Sequence, residues 1–362
     1  MKDWEYTFDP VSKAEWIRQV TSDLKQKPVE SLTGEWWEGE PRWPLLHAED
    51  MDDEVVRLPD FLFNTPPQIT EQISAASSSP ESVHQTILEA LQFGTQSVIL
   101  QVTSREGIFN PEWIKDVHLD WITFQIEYVG NIAASQSSFI NSIPKHTFYR
   151  VVRGRFAKPL SSILFGEKPT ARIDITAFRF VYYFPSDGNW TEKTTATLNA
   201  LLDDLQQWKA NGFETSTFFN QCILAIVADQ DFFKQIIQTR TLHVLWQNLS
   251  QYYSKDALSV NSQYLETHIV QKNEEKPDLF LVRASMSALA SSLSGTGALC
   301  IHQSMEDTTP LFYQRINRNI HHLLELESGM YKGIDPLSGA YSIDFHLKRW
   351  ATSIWNNLSL EK

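Results

Sequence analysis

From residue 68 onward, short apolar runs alternate with longer stretches in which apolar residues recur every three or four positions. The runs predict strands over 68–73, 97–102, 121–128, 147–152, 171–180, 215–226, 262–269 and 298–302. The periodic stretches predict helices over 80–92, 190–210, 229–252, 277–293, 309–327 and 342–357. Strands separated by helices of ten or more residues imply right-handed βαβ units and a parallel sheet. Eight of them in one chain predict an α/β fold closed into a (β/α)8 TIM barrel, occupying residues 67–362.

Residues 1–66 read differently. Ser12 caps a helix whose apolar face is Trp16, Ile17, Val20 and Leu24. "SLTGEWWEGEPRWPLLHAEDMDDE" follows, rich in Trp, Pro, Gly and acids and without a steady period. A disordered tail would lack so many aromatics, so this is an extended arm that lies on something. Trp36, Trp37 and Trp43 either pack on the arm's own domain or anchor it to a partner chain; they are the candidate partner contacts.

"SSLSGTGALCIH", residues 291–302, has glycines that suggest a phosphate loop. Met286, Leu289, Ala290 and Leu293 form one helix face, however, and Gly295 falls where a helix C-terminus favours a left-handed residue. A phosphate loop runs strand, glycines, helix, with a Lys and a Ser or Thr after the glycines. Here the order is reversed, so the glycines turn a helix into a buried strand. His302 then ends that strand at the C-terminal mouth, where such barrels hold their active sites.

Composition narrows the class. A net charge of −13 argues against nucleic acid and anionic membrane as partners. Apolar runs fall short of the ~18 residues of a membrane span, and the N-terminus carries acids where a leader would be apolar. Cys222 and Cys300 both sit in apolar runs and read as buried thiols of a cytoplasmic chain, with no metal site. His321 and His322 are helix neighbours that diverge. The acid runs 48–54 and 305–310 lack the glycine and terminal glutamate of a calcium loop.

Three blocks carry a family resemblance. "QDFFKQIIQTRTLHVLW", "LVRASMSALASSLSGTGALCIH" and "RINRNIHHLLELESGMYKGIDPLSGAYSID" resemble, in order and spacing, segments of the methylmalonyl-CoA mutases. The front, "FDPVSKAEWIRQVTSDLKQKPVESLTGEWWEGEPRWPLLHAED", is similar to the start of their small, non-catalytic subunit. The resemblance implies a barrel whose bore takes the pantetheine arm of an acyl-CoA. It also implies a separate domain, beyond the barrel, that carries adenosylcobalamin.

The departures decide what is expected of this chain. The family's substrate-side Tyr on the first strand is replaced by Ile73 in "TEQI". Its thioester-polarising His on the fifth strand falls on Arg179 of "IDITAFRF", with Ala177 and Phe178 before it. In the eighth-strand block the family's Gln, His and Asn positions hold Gly297, Cys300 and His302, which makes His302 a rim or core histidine, not a catalytic one. "DVHLDW" begins like the cobalt-ligand motif Asp-x-His-x-x-Gly and then lacks the glycine. The resemblance thus implies a small subunit with no catalytic, cofactor or metal residues of its own. Its partner is a large subunit holding adenosylcobalamin, in a heterodimer, with a homodimer open to the isolated chain. The alternatives are an acyl-CoA-binding barrel and an acyl-CoA mutase that borrows a separately encoded cobalamin domain.

Overall fold

The computed structural model describes residues 11–51, 65–75, 79–103, 110–119, 121–129, 154–156, 178–184, 188–254, 264–272, 275–302, 310–332 and 335–360. Their barrel strands are β1 (Gln68–Ser74), β2 (Ser97–Thr103), β3 (Thr123–Val129), β4 (Gly154–Phe156), β5 (Phe178–Phe184), β6 (Cys222–Val227), β7 (Leu265–Val270) and β8 (Ala298–His302). All pair in parallel, each with the next, and β8 returns to β1 through Ala298↔Gln68, Leu299↔Ile69 and Cys300↔Thr70. The barrel read from the hydrophobic pattern is therefore closed. No described helix is long and apolar enough to cross a membrane.

The described helices are α1 (Lys13–Asp23), α2 (Pro80–Gln92), α3 (Trp190–Ala210), α4 (Thr215–Gln221), α5 (Phe232–Ser254), α6 (Pro277–Leu293), α7 (Pro310–His322) and α8 (Tyr341–Asn356). Gly295 has the left-handed φ of +79° that the turn out of α6 requires. One predicted strand is corrected: 215–226 divides into α4 and then β6. Phe218 lies 5.9 Å from Trp208 and Phe219 lies 4.8 Å from Trp246, so the first half of that apolar run packs among helices. A short run buried on all sides carries no period that separates helix from strand. The predicted strand 147–152 and residues 171–177 of the next lie outside the described residues.

Strand residues alternate between two layers. Cys222, Leu224 and Ile226 of β6 join the large core under the helices, whereas Ile223 and Ala225 meet Val181 inside the bore. The helix layer is locked by the three blocks that carry the resemblance. Arg240 on α5 donates to both oxygens of Asp335 at 2.9 and 2.7 Å and to the carbonyl of Leu293 at 2.7 Å. His243, one turn later, bridges the Tyr264 hydroxyl at 2.7 Å and the Gly295 carbonyl at 3.1 Å. Arg318 of α7 donates to Glu71 of β1 at 2.9 and 3.0 Å, and Thr95 donates to the same carboxylate.

The arm lies on its own barrel. The Trp36 ring stacks on His346 of α8 at 5.0 Å, and Trp37 sits 5.9 Å from Trp350, which in turn lies 5.1 Å from Trp190. Glu38 accepts the Trp190 backbone N–H at 2.7 Å and the Thr191 hydroxyl at 2.8 Å, placing a carboxylate at the positive end of α3. Arg349 meets Glu40 at 3.0 Å. Trp36 and Trp37 are half-buried by these contacts, while Trp43 stays exposed. Helix α1 has its predicted cap at Ser12, Glu15 completes a capping box there, and the helix buries no residue.

Candidate functional site

The odd-numbered face of β1 carries Ile69, Glu71 and Ile73; Glu71 reaches out to α7, and Ile73 joins the helix-facing core. The expectation that Ile73 lines the bore is thereby corrected: alternation puts Thr70 and Gln72 there instead. Gln125 of β3, Tyr183 of β5, Ile223 and Ala225 of β6, Glu266 and His268 of β7, and Cys300 and His302 of β8 share the inner face. Gln125, Ile223, Ala225, Glu266 and Cys300 have no solvent exposure, so at their level the bore is filled with side chains. Arg179 belongs to β5, but its side chain lies outside the described residues. Gly297 acts through its backbone, donating to Leu265 O and accepting from Gln68 N, both at 2.9 Å, just below β8.

Above that plug, polar groups converge. His268 Nδ1 lies 2.6 Å from His302 Nε2, and the two rings stack at 4.9 Å. His268 Nε2 lies 2.6 Å from a Glu266 carboxylate oxygen. The edge of Tyr183 meets the His268 ring at 5.5 Å, and its hydroxyl accepts from Gln125 at 3.2 Å. Cys300, paired with His268 in register, brings its sulfur into the same group: one donor atom each from His268, Cys300 and His302 lie within 4.8 Å of one another. Burial, and then the neighbouring His268, hold the His302 pKa well below its usual value, so the ring is neutral near neutral pH. One of the two facing ring nitrogens, His268 Nδ1 or His302 Nε2, donates to the other.

The other sequence candidates fall elsewhere. Asp116 and His118 precede β3, at the end of the barrel opposite the mouth, and the His118 ring stacks on Trp121 at 4.1 Å. That position does not fit a corrin ligand. His321 is buried in the helix layer, and Asp50 is held by Lys13. The sequence reading passed over Glu266, His268, Gln125 and Tyr183. Glu266 and His268 left one signal: parallel barrel strands are covered on both faces and read as continuous apolar runs, so alternating polar residues in "LETHIV" mark an inner polar layer.

Residues 187–359 match the family described as Methylmalonyl-CoA mutase. Methylmalonyl-CoA mutase of Rhizobium meliloti is 28% identical over 153 residues, covering 40% of this chain and 21% of that protein. Methylmalonyl-CoA mutase small subunit of Porphyromonas gingivalis is 21% identical over 378 residues, covering 93% of this chain and 60% of that protein. The chain thus spans less than two thirds of the length of these relatives. Among solved structures, HPPK-DHPS of Plasmodium falciparum aligns with a TM-score of 0.42 at 9% identity, over 91% of this chain and 54% of that one.

Proposed function

We propose that this chain is the small subunit of a methylmalonyl-CoA mutase, a barrel of that family without mutase chemistry of its own. In this reading it supports a larger catalytic subunit that holds adenosylcobalamin and the acyl-CoA, and the holoenzyme interconverts methylmalonyl-CoA and succinyl-CoA. The filled bore carries the reading. Where the family's resemblance calls for a passage for pantetheine, Gln125, Ile223, Ala225, Glu266 and Cys300 are packed out of reach of solvent. Cys300 stands at a family histidine position and cannot take over the work of a fixed imidazole, because its buried sulfur is a weak hydrogen-bond donor. A barrel can outlive its chemistry, since the fold and the site are separable.

Partner contact has support on the arm side of the molecule. Helix α1 buries none of its residues, although Trp16, Ile17 and Val20 give it an apolar face, and Ile17 is 37% and Trp43 45% exposed. A cleft of about 1000 Å³ opens between the arm and helices α3 and α8. The test is co-expression with a methylmalonyl-CoA mutase large subunit, followed by capture through a tag on this chain. Stoichiometric recovery of the pair is expected, with mutase activity in the pair and none in the chain alone. Failure to pair, or succinyl-CoA formed by the lone chain, would overturn the reading.

A further inference from the structure

We propose that His268, Cys300 and His302 form a binding site for a single Zn²⁺-class metal ion at the mouth of the barrel, with Glu266 as the outer partner that orients His268. Three observations converge on it. The donor atoms of the trio lie within 4.8 Å of one another, and two adjacent, paired strands present them on one face. A tetrahedral zinc bound by two imidazoles and one thiolate needs donors about 3.3–3.6 Å apart, given its ~2.0 Å Zn–N and ~2.3 Å Zn–S bonds. The 2.6 Å between His268 Nδ1 and His302 Nε2 therefore has to open by well under one ångström, which is within reach of side-chain torsions.

The second observation is Glu266. Metal-bound histidines commonly turn their far ring nitrogen to a carboxylate, which fixes the tautomer and makes the bound nitrogen more basic. His268 Nε2 is 2.6 Å from Glu266, so Nδ1 is the nitrogen left facing His302 and Cys300. The third is chemistry. Two imidazoles and a thiolate suit zinc, a borderline-soft ion, and do not suit magnesium or calcium. The described donors leave the fourth tetrahedral position to water. Two of the three ligands, Cys300 and His302, stand where the resemblance puts a family His and Asn. The site is thus a property of this chain and does not depend on the proposed subunit role. Its effect is to tie β7 to β8 directly over the filled bore.

Metal-stripped full-length chain, titrated with Zn²⁺ against a chromophoric chelator, should take up one equivalent. Co²⁺ as a probe should give the intense visible bands of a tetrahedral ion together with a thiolate charge-transfer band. Cys300→Ser should remove the charge-transfer band, and Cys222→Ser, which alters the distant thiol, should leave it. Glu266→Gln should weaken Zn²⁺ binding by about 10–100-fold. The Co²⁺ spectrum of the unaltered chain decides the matter even if a variant fails to fold. Absence of the charge-transfer band there, its survival in Cys300→Ser, or its loss in Cys222→Ser would overturn the site. The trio would then be a hydrogen-bonded pair of histidines beside a buried thiol.

Discussion

At the scale of single residues, Arg240 shows what the most recognisable sequence blocks do. It is 1% exposed and joins Asp335 and the end of α6. Removing one partner of a buried ion pair strands the other charge, at a cost of about 3–5 kcal/mol. Arg240→Leu should therefore destabilise the chain by that amount in urea unfolding. The Arg240→Leu, Asp335→Leu double variant should be less damaged than the single, because no charge is left unpaired. His243 gives a pH prediction. Burial, against the opposing hydrogen bond to Gly295, holds its pKa at about 3. The unfolded chain takes up the proton near pH 6.5 and the folded chain does not, so this contribution is complete above 6.5 and is lost as pH falls toward 3. From pH 7 to pH 5 the loss amounts to about 2 kcal/mol for one such histidine. His243→Gln should flatten the stability profile by that amount when urea midpoints are compared over this range.

At the scale of elements, the arm is the informative case. Its aromatics could serve a partner or the barrel itself, and composition does not choose between them. The structure places Trp36 and Trp37 on α8 and Glu38 at the start of α3. Losing a carboxylate from a helix N-terminus costs about 0.5–2 kcal/mol. Half-burying an indole contributes a similar amount, about 1–2 kcal/mol. Glu38→Ala and Trp37→Ala should each lower the melting temperature of the isolated chain, whereas Trp43→Ala should leave it unchanged. An unchanged melt for Trp37→Ala would mean that the arm is only loosely seated without a partner. Apolar periodicity identified α5, but burial explains its weak amphipathicity: Gln235, Gln238, Thr239 and Arg240 are as buried as its leucines, because helices and strands surround it.

At the scale of the whole molecule, fold and chemistry come apart. If the barrel merely lacked two side chains, restoring them would restore turnover. Ile73→Tyr with Arg179→His should instead leave the isolated chain inactive and weaken it. Ile73 is 1% exposed in the helix-facing core, and overfilling such a site costs about 1–3 kcal/mol. Calorimetry and a succinyl-CoA assay on the double variant check both halves of this expectation; any turnover would restore the enzyme reading. The alternation of strands and helices was legible in the sequence because a closed parallel barrel repeats one local rule eight times. Gly295 was legible because a left-handed turn leaves few choices of residue. The inner polar layer left only the alternation in "LETHIV", and the division of residues 215–226 left no signal, since it depends on what surrounds the run and not on its own period. Local patterning determined the barrel and the family blocks. Only the tertiary structure decided which face of β1 meets the helices, where the arm lies, and that Glu266, His268, Cys300 and His302 converge. Parallel pairing of β7 with β8 brings that last group together, by setting side by side residues some thirty positions apart in the chain.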